Sequence, residues 1–499
     1  DGRADINPAA AELPDNGVDE DCDGADLRLG ERAKPGLTQY YARKGALDAP
    51  WNILVVTVEA TRADHLSIHG YERNTSPTLA RLAKEGLVFD RAYSPSNATR
   101  YSIPTTFTGR YLADVDIDWL GSYLIVQPGA QTIFQRLQAA GWYTEALLPA
   151  QQLDGMWHGL ERGFDAYVPV DKARLKTVSA PAINKALIDT LSRLKADPTI
   201  DRWAIWTHYL EPHEPYRRHP EHDFGGASVD RYDSEIAAFD AALGAVVDAL
   251  DALGMRERTV IVVTADHGEE FGEHGRHYHG HQLYEESLRV PLVIHVPGAP
   301  AVRVKAPVST IDVAPTLGNL AGLTPLADGG GRSHVGRLSG AVSGEDWGRV
   351  VFAEGIKNPQ LPNARKVTLL RWPHKIIANL RTKTELLFDL ARDPGELKGG
   401  PAKTTGPGGE MRERLRKEIA RQKAARLERV LARRVLETPP GFVGDKVEVV
   451  SPGLEFLGGR LSKRRIGGRV YQQAQTWFRA REAKDRPDLE LRFALISES

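Results

Sequence analysis

The chain has 499 residues, enough for about three domains of average size, and its 65 basic and 66 acidic side chains give a formal net charge of −1. This balance argues against a nucleic-acid-binding protein, which usually carries a large basic excess. An apolar content of 41% with 26% charged residues is typical of a globular chain, and no apolar run approaches the roughly 18 residues needed to cross a bilayer. The lone cysteine, Cys22, excludes an internal disulfide framework.

Residues 1–50 are predicted to form an acidic leader. The segment from Asp15 to Gly24 has closely spaced carboxylate and amide oxygens, which suit Ca²⁺, although a solvated acidic stretch has the same composition. The candidate calcium ligands are Asp15, Asn16, Asp19, Asp21 and Asp23. The stretch also resembles a calcium-binding repeat of bacterial surface proteins. This resemblance favours a periplasmic, cell-surface or secreted location, or the ectodomain of a larger anchored protein.

Residues 51–330 are predicted to form a core in which strands alternate with helices. Asn52–Val58 is a short apolar run rich in β-branched residues, as in a buried parallel strand. Further strands are predicted at residues 143–148, 203–207, 259–264 and 290–296, and helices at residues 77–85, 102–107, 131–140, 180–194, 230–253 and 312–320. The alternation predicts a mostly parallel sheet covered by helices on both faces.

Residues 331–400 are predicted to form a smaller C-terminal subdomain with short antiparallel strands at 367–370, 375–378 and 386–390. Residues 401–499 are predicted to contain a basic helix at 411–436, followed by a tail with strands at 446–450 and 489–495. A basic amphipathic helix either packs on its own domain or lies on an anionic membrane, so proximity to a membrane is one alternative.

Polar residues follow three of the predicted strands. Glu59 follows Asn52–Val58, His208 follows the strand at 203–207, and Asp266 with His267 follows the strand at 259–264. Each of them alone could be a helix cap or part of a turn. Because sites in parallel sheets form beyond the carboxyl ends of the strands, the three together favour a shared site.

A divalent metal ion suits Glu59, Asp266 and His267, since two carboxylates offset its charge and imidazole is a good ligand. A hydroxyl nucleophile would complete such a centre. The segment from Ser94 to Ser102 runs into a predicted helix, whose start favours an anionic substrate. Thr99 or Ser102 is either the nucleophile or a helix cap, and the spacing alone does not choose between them.

Several stretches, in order, resemble the sulfatase family of the alkaline phosphatase superfamily over roughly residues 51–395. They are NILVVTVEATRADHLSIHGY with the sequence that follows it to Tyr111, THYLEPHEPY, VIVVTADHGEEFGEHG, HGHQLYEESLRVPLVIHVPG and ELLFDLARDPGE. The resemblance implies an α/β fold, a three-layer α/β/α sandwich with a mostly parallel central sheet, plus a smaller C-terminal α+β subdomain. It also implies a metal-dependent ester hydrolase.

The chain differs from working sulfatases at the nucleophile. Sulfatases convert Cys or Ser ten residues before the glycine of a Thr-Gly-Arg block into formylglycine, and here that position is Thr99. A secondary alcohol would give a ketone, so formylglycine chemistry is not expected. The set Glu59, Thr99, Asp266 and His267 is instead similar to the single-metal centre of lipoteichoic-acid synthases and phosphoethanolamine transferases. That similarity implies that Thr99 is a nucleophile forming a phospho-threonine, and that one Zn²⁺ or Mn²⁺ is held by these four residues.

The resemblance also assigns roles to residues around this centre. His208, His213 and His279 match positions that bind substrate oxygens or protonate the leaving group. A competing reading is a second metal site, whose candidate ligands are His208, Glu211, His213 and His279. Arg62, Arg100 and Lys375 either neutralise substrate charge or form ordinary salt bridges. The remaining histidines of this region are expected in loops or as groups that support the site residues (His274, His277 and His281) or at the surface (His219 and His222).

These observations predict a hydrolase or transferase that acts on phosphate esters or diesters through Thr99. One alternative is a sulfuric ester hydrolase that works without formylglycine. Another is a catalytically silent surface protein that binds an anionic glycan or a lipid headgroup.

Overall fold

The computed structural model describes residues 51–120, 123–149, 157–171, 180–326, 330–342, 344–356, 365–403, 405–434, 448–451, 454–466, 469–480 and 495–497. The predictions for residues 1–50, including the candidate calcium ligands, lie outside the described residues, as does most of the strand predicted at 489–495. Contacts divide the chain into two compact units, Asp1–Met411 and Arg412–Ser499. Among the described residues, no helix is both long and apolar enough to span a membrane.

An eight-stranded sheet forms the centre of the first unit. From one edge to the other, its strands are Ala301–Val304, Gly86–Phe89, Leu292–His295, Thr259–Ala265, Asn52–Val58, Trp203–Tyr209, Tyr143–Pro149 and Ala166–Asp171. Only Leu292–His295 runs against its neighbours, and every other pairing is parallel. The predicted mostly parallel sheet is therefore confirmed.

Helices cover both faces of this sheet. Along the central strand, Ile53 and Val55 enter one apolar cluster, whereas Leu54 and Val56 enter another, as expected when successive side chains point to opposite faces. The first cluster includes residues of the helices Thr99–Thr108, Ile133–Ala139 and Val313–Leu320. The second includes residues of the helices Pro77–Leu82, Ala180–Ala196 and Ser228–Ala252. The predicted three-layer α/β/α sandwich is confirmed.

Shorter elements complete the described part of the first unit. The remaining helices are Glu285–Leu288 and Val335–Leu338, and Gly406–Arg434 continues into the second unit. The short strands are Ala92–Tyr93, Ile117–Leu120, Tyr123–Val126, Trp157–His158, Glu270–Phe271, His277–Tyr278, Arg289–Val290 and Val308–Ser309.

Several predicted boundaries of helices and strands differ from those in the structure. The strand predicted at 203–207 continues to Tyr209, so His208 lies inside it. The helix predicted from Ser102 begins at Thr99. The strand predicted at 290–296 is interrupted at Pro291, because proline has no N–H to donate to a ladder. Gly86, predicted to end a helix, begins a strand with a φ of 104°, and a Cβ there would lie 2.1 Å from the carbonyl oxygen of Ile294.

A five-stranded antiparallel sheet forms the predicted C-terminal subdomain. Its strands, in order, are Val350–Ile356, Arg365–Arg371, His374–Asn379, Thr384–Asp389 and Gly400–Pro401. The first of them touches the segment that precedes Thr99. The Ser96 hydroxyl donates to the Glu354 carbonyl over 2.7 Å, and the Glu354 N–H donates to the Pro95 carbonyl over 3.0 Å.

The second unit contains a four-stranded antiparallel sheet. Its strands are Glu448–Ser451, Leu454–Ile466, Arg469–Ala480 and Leu495–Ser497. The sequence predicted the first of these strands but not the long hairpin formed by the second and third.

Candidate active site

Two adjacent central strands end at the same level and place three acidic or imidazole side chains together. Val58 is paired with Ala265, so Glu59 and Asp266 are the next residues on neighbouring strands. Ala60 follows in a left-handed conformation, with a φ of 48°. Its N–H donates to Asp266 Oδ1 over 3.0 Å, and its carbonyl accepts the Tyr232 hydroxyl over 2.7 Å. These bonds hold a strained turn directly behind Glu59.

Thr99 begins the helix Thr99–Thr108 and faces this pair of strand ends. Its hydroxyl donates to Glu59 Oε1 over 2.9 Å, and Thr99 Oγ1 lies 3.1 Å from His267 Nε2. Ser102, the other predicted hydroxyl, has its Oγ 3.4 Å from the Thr99 carbonyl, within the helix. The geometry therefore brings Thr99, and not the Ser102 hydroxyl, against the carboxylate and the imidazole.

His267 presents Nε2 to the centre of the group. Its Nδ1 lies 2.9 Å from the Gly268 carbonyl and donates to it, so Nε2 is the nitrogen that can bind a metal. Nε2 lies 3.3 Å from Glu59 Oε1 and 3.4 Å from Asp266 Oδ2. Burial alone would lower the pKa of His267, but the Asp266 and Glu59 carboxylates raise it to about 10.

The two carboxylates are held in different ways. Burial alone would raise the pKa of Glu59, but hydrogen bonds from His208 and His267 lower it well below its usual value. Burial and the neighbouring Glu59 charge raise the pKa of Asp266. Asp266 Oδ1 accepts the N–H groups of Ala60 and His267.

The residues present fit a divalent cation. Asp266 Oδ2 is buried and accepts no hydrogen bond within the part of the chain that the structure describes. A buried carboxylate oxygen without a partner is costly, and a cation would relieve that cost. One ligand atom from each of Glu59, Asp266 and His267 can be chosen so that all lie within 4.8 Å of one another.

His213 and His279 form the more open side of the site. The His279 ring lies 4.6 Å from the His267 ring and 5.3 Å from the His213 ring, measured between centroids. His279 Nδ1 lies 3.3 Å from Glu269 Oε1, and His213 Nδ1 lies 2.6 Å from the Glu214 carbonyl, so each ring turns Nε2 away from these partners. Ligand atoms of Glu59, His213 and His279 also lie within 4.8 Å of one another.

The alternative second-metal set is not assembled as predicted. His213 and His279 meet Glu59, whereas Glu211 accepts the N–H of Ala180 over 3.0 Å. His208 is fully buried, with Nε2 2.9 Å from Glu59 Oε2 and Nδ1 2.8 Å from Thr57 Oγ1. Since both ring nitrogens are engaged and no face is open, this placement does not suit the predicted proton transfer to a leaving group.

The three predicted basic residues have different surroundings. Arg62 donates to Asp64 over 2.8 and 3.0 Å and pairs with Glu273. Lys375 is buried, and its ammonium lies 3.0 Å from both Glu285 and Glu396. These contacts match the salt-bridge alternative for both residues.

Arg100 differs from the other two. It follows Thr99 in the first helical turn, and the structure records no ion pair for it among the described residues. Its Nε is buried without a hydrogen-bond partner in the same part of the chain. Arg100 is therefore the basic candidate that has charge to offer an anionic substrate.

Other histidines of the region lie outside the group. His219 is buried, so its predicted place on the surface was wrong. Its backbone N–H donates to the Ser234 hydroxyl over 3.0 Å. His274 Nδ1 donates to Glu286 Oε1 over 2.6 Å, and the His274 ring stacks on Tyr284 with 3.6 Å between the ring centroids. Thr57, which contacts His208, and Glu269, which contacts His279, were not predicted from the sequence. Each is a single polar residue beside a recognised motif.

The chain belongs to the sulfatase family. The sequence model described as Sulfatase matches residues 51–323, and the model of the N-sulphoglucosamine sulphohydrolase C-terminal region matches residues 272–425. The resemblance stated from the sequence is thereby confirmed.

Individual relatives match parts of the chain. Arylsulfatase K of Mus musculus is 32% identical over 172 residues, covering 33% of this chain and 31% of that protein. Choline-sulfatase of Rhizobium meliloti is 26% identical over 317 residues, covering 54% of this chain and 60% of that protein. The chain thus spans less than two thirds of the length of these relatives.

Solved structures share the fold. The phosphonate monoester hydrolase of Agrobacterium radiobacter aligns with a TM-score of 0.60 at 20% identity, covering 76% of this chain and 96% of that one. A 2-O GAG sulfatase aligns with a TM-score of 0.60 at 17% identity, covering 75% of this chain and 93% of that one. At these identities the likeness establishes the α/β/α architecture and its C-terminal sheet.

Proposed function

We propose that this chain is a metal-dependent hydrolase that cleaves phosphate monoesters or diesters by attack of the Thr99 hydroxyl on phosphorus. The observation that carries the proposal is the contact of Thr99 Oγ1 with both Glu59 Oε1 and His267 Nε2, at 2.9 and 3.1 Å. A hydroxyl in this position is next to the groups that would hold a cation. Both the family and its structural neighbours place ester hydrolysis among the expected activities.

Glu59, Asp266, His267 and the Thr99 hydroxyl would hold the cation. Three oxygens and one imidazole nitrogen suit Zn²⁺ or Mn²⁺ better than Ca²⁺. When bound, such an ion stabilises developing negative charge and favours ionisation of a nearby hydroxyl. The identity of the ion is part of the proposal.

The reaction proceeds in two halves. In the first, the Thr99 hydroxyl, which lies 2.9 Å from Glu59 Oε1, gives up its proton to water, its oxygen bonds to phosphorus, and the bond from phosphorus to the ester oxygen breaks. His279, on the open side, is placed to give the leaving alcohol a proton. In the second half, water attacks phosphorus, His279 takes the water proton, and the bond from phosphorus to Thr99 Oγ1 breaks. The freed Thr99 oxygen takes a proton from water, which restores the hydroxyl.

The charge of the substrate is balanced at the start of the helix Thr99–Thr108. The helix begins at the nucleophile, so its free N–H groups and positive dipole end face the phosphoryl oxygens. Arg100 adds a guanidinium at the same place, and His213 completes the contacts from the opposite loop. Transfer of the phosphoryl group to another alcohol in place of water uses the same first half.

A substrate panel tests the proposal directly. Chromogenic phosphate monoesters, phosphate diesters and sulfate esters are each assayed with Zn²⁺ or Mn²⁺. We expect turnover of phosphate esters, loss of activity in Thr99→Ala, and partial retention in Thr99→Ser. Ser102→Ala, which removes the other hydroxyl considered, should keep the activity. Mass spectrometry with a slow substrate should find the phosphoryl group on Thr99.

A sulfuric ester hydrolase without formylglycine is the second candidate. It is favoured by the matches to arylsulfatase K and choline-sulfatase, both named as sulfatases. Turnover of sulfate esters without turnover of phosphate esters would replace the first proposal by this one. A silent glycan- or headgroup-binding protein is disfavoured, because a binding protein has no need for a buried Asp266 oxygen that lacks a hydrogen-bond partner among the described residues and lies beside a hydroxyl. An extracytoplasmic location stays a prediction.

A further inference from the structure

We propose that His208 is a positioning residue, which makes Glu59 bind the cation through one oxygen only by holding the other oxygen from behind. The proposal rests on the metal site described under the proposed function. His208 was expected from the sequence to act on the substrate, so its role here is a different one.

The two oxygens of Glu59 face opposite ways. Oε1 faces Thr99 and His267, at 2.9 and 3.3 Å. Oε2 faces His208, whose Nε2 lies 2.9 Å away. Glu59 is 1% exposed and His208 is 0% exposed, so water does not compete for this contact.

A short chain of hydrogen bonds fixes the His208 ring from the other side. Trp206 Nε1 lies 2.9 Å from Thr57 Oγ1, and Thr57 Oγ1 lies 2.8 Å from His208 Nδ1. The strand pairing brings these residues together, since Thr57 is in register with His208 on the neighbouring parallel strand. Residues two apart on a strand share a face, so Trp206 and His208 point to the same side of the sheet.

The direction of these bonds follows from the donors. An indole N–H only donates, so Thr57 Oγ1 is an acceptor toward Trp206. Its own proton goes to His208 Nδ1 at 2.8 Å in preference to the Thr207 carbonyl at 3.3 Å. With Nδ1 accepting, the ring carries its proton on Nε2 and donates it to Glu59 Oε2.

The His208 contact limits how Glu59 can bind the metal. With Oε2 occupied, only Oε1 is available toward Thr99, His267 and the cation. Groups that orient a metal ligand in this way typically change metal affinity by about 10- to 100-fold when they are removed. His208 therefore contributes to cation binding without touching the substrate.

Two matched pairs of variants test the proposal by metal affinity, which needs no turnover. The dissociation constants for Zn²⁺ and Mn²⁺ are measured by competition with a chromogenic chelator. We expect His208→Leu to weaken binding about 10- to 100-fold, whereas His208→Gln, which keeps an N–H donor, stays within several-fold of the parent. Thr57→Val should weaken binding several-fold, and Thr57→Ser should match the parent.

Thermal unfolding without metal separates positioning from simple loss of packing. If His208→Leu and Thr57→Val lower the unfolding temperature but bind the metals as the parent does, the proposal is overturned. If His208→Leu does not fold, the Thr57→Val and Thr57→Ser pair decides the matter. A metal-bound crystal structure gives a second readout: one Glu59 oxygen on the ion in the parent, and both in His208→Leu.

The same titrations distinguish this inference from the proposed function. If the parent chain binds neither metal, the proposed function and this inference both fail. If the parent binds, and Glu59→Gln abolishes binding while the His208 and Thr57 variants leave it unchanged, only the positioning role fails.

Discussion

His279 Nδ1 and Glu269 Oε1 lie 3.3 Å apart, although His279 is partly exposed and Glu269 is fully buried. The carboxylate therefore fixes which nitrogen of the imidazole faces the open side of the site. The other oxygen of Glu269 has no hydrogen-bond partner among the described residues. This buried carboxylate is a means of orienting the histidine that we assign to the leaving group.

The first prediction follows from this contact. Glu269→Gln should lower kcat roughly tenfold for esters with poor leaving groups, which need a well-placed acid, and leave esters with good leaving groups within about twofold. The measurement is kcat across a series of phenyl phosphates of rising leaving-group pKa. His277→Gln, on the exposed strand nearby, is the control. An equal loss across the whole series would show that Glu269 does not act through the leaving group.

Arg100 should bind the substrate anion. Arg100→Gln removes a charge that has no ion-pair partner among the described residues, so we expect KM to rise about tenfold or more while the unfolding temperature stays the same. Steady-state kinetics and thermal unfolding check the two parts. Arg381 is an exposed arginine in a turn of the five-stranded sheet, and Arg381→Gln should leave KM unchanged. A fall in stability without a change in KM would assign Arg100 to the structure instead.

Lys375 should behave in the opposite way. Its ammonium lies between Glu285 and Glu396, and Lys375→Met would leave the buried Glu396 and the partly buried Glu285 without their cation. We expect a loss of about 3 to 5 kcal/mol in the free energy of unfolding, with KM unchanged for the folded protein. Urea unfolding measures the first and kinetics at low temperature the second. Lys398→Met is the exposed control, and a raised KM would restore the substrate-binding role considered from the sequence.

Glu235 should make the fold less stable as the pH rises. Burial raises the pKa of Glu235 from 4.5 to about 9, and its Oε2 has no hydrogen-bond partner in the described part of the chain. Between these values the folded state binds more protons than the unfolded state, so the free energy of unfolding falls with increasing pH. Below about pH 4.5 both states are protonated and the effect disappears.

Glu235→Gln removes this dependence. At pH 8 we expect the variant to be more stable than the parent by on the order of 1 to 3 kcal/mol, with the difference shrinking toward pH 5. Urea unfolding at several pH values measures it. Glu221→Gln, at an exposed position in the loop that precedes the helix carrying Glu235, should follow the parent at every pH. Parallel curves for Glu235→Gln and the parent would show that Glu235 ionises normally.

The sequence revealed the metal-ligand candidates because each stands directly after an apolar strand. Glu59 and Asp266 meet because Val58 and Ala265, the residues before them, are paired on neighbouring parallel strands. Spacing alone did not choose between Thr99 and Ser102, since the choice depends on the residue at which the helix begins, and only the family resemblance favoured Thr99. The helix begins at Thr99, three residues before its predicted start at Ser102, and no periodic pattern in the sequence marks that earlier start.

For His208, the sequence predicted a role that the structure does not support. A histidine after an apolar run reads as the end of the strand, yet the strand continues for two residues because Thr57 and Glu59 offer hydrogen bonds to the buried ring. Polarity in the sequence does not distinguish a side chain facing a substrate from one facing a buried partner. Lys375 was ambiguous for the same reason, and only its contacts with Glu285 and Glu396 assign it.

The hydrogen bond between Ser96 and Glu354 joins positions 258 residues apart, just ahead of Thr99. During synthesis on the ribosome, the segment that leads into Thr99 emerges long before the strand that secures it. The nascent chain can therefore bring the central strands together while the segment ahead of Thr99 still lacks this contact. That segment gains its contact with Glu354 only after the first strand of the five-stranded sheet has been made.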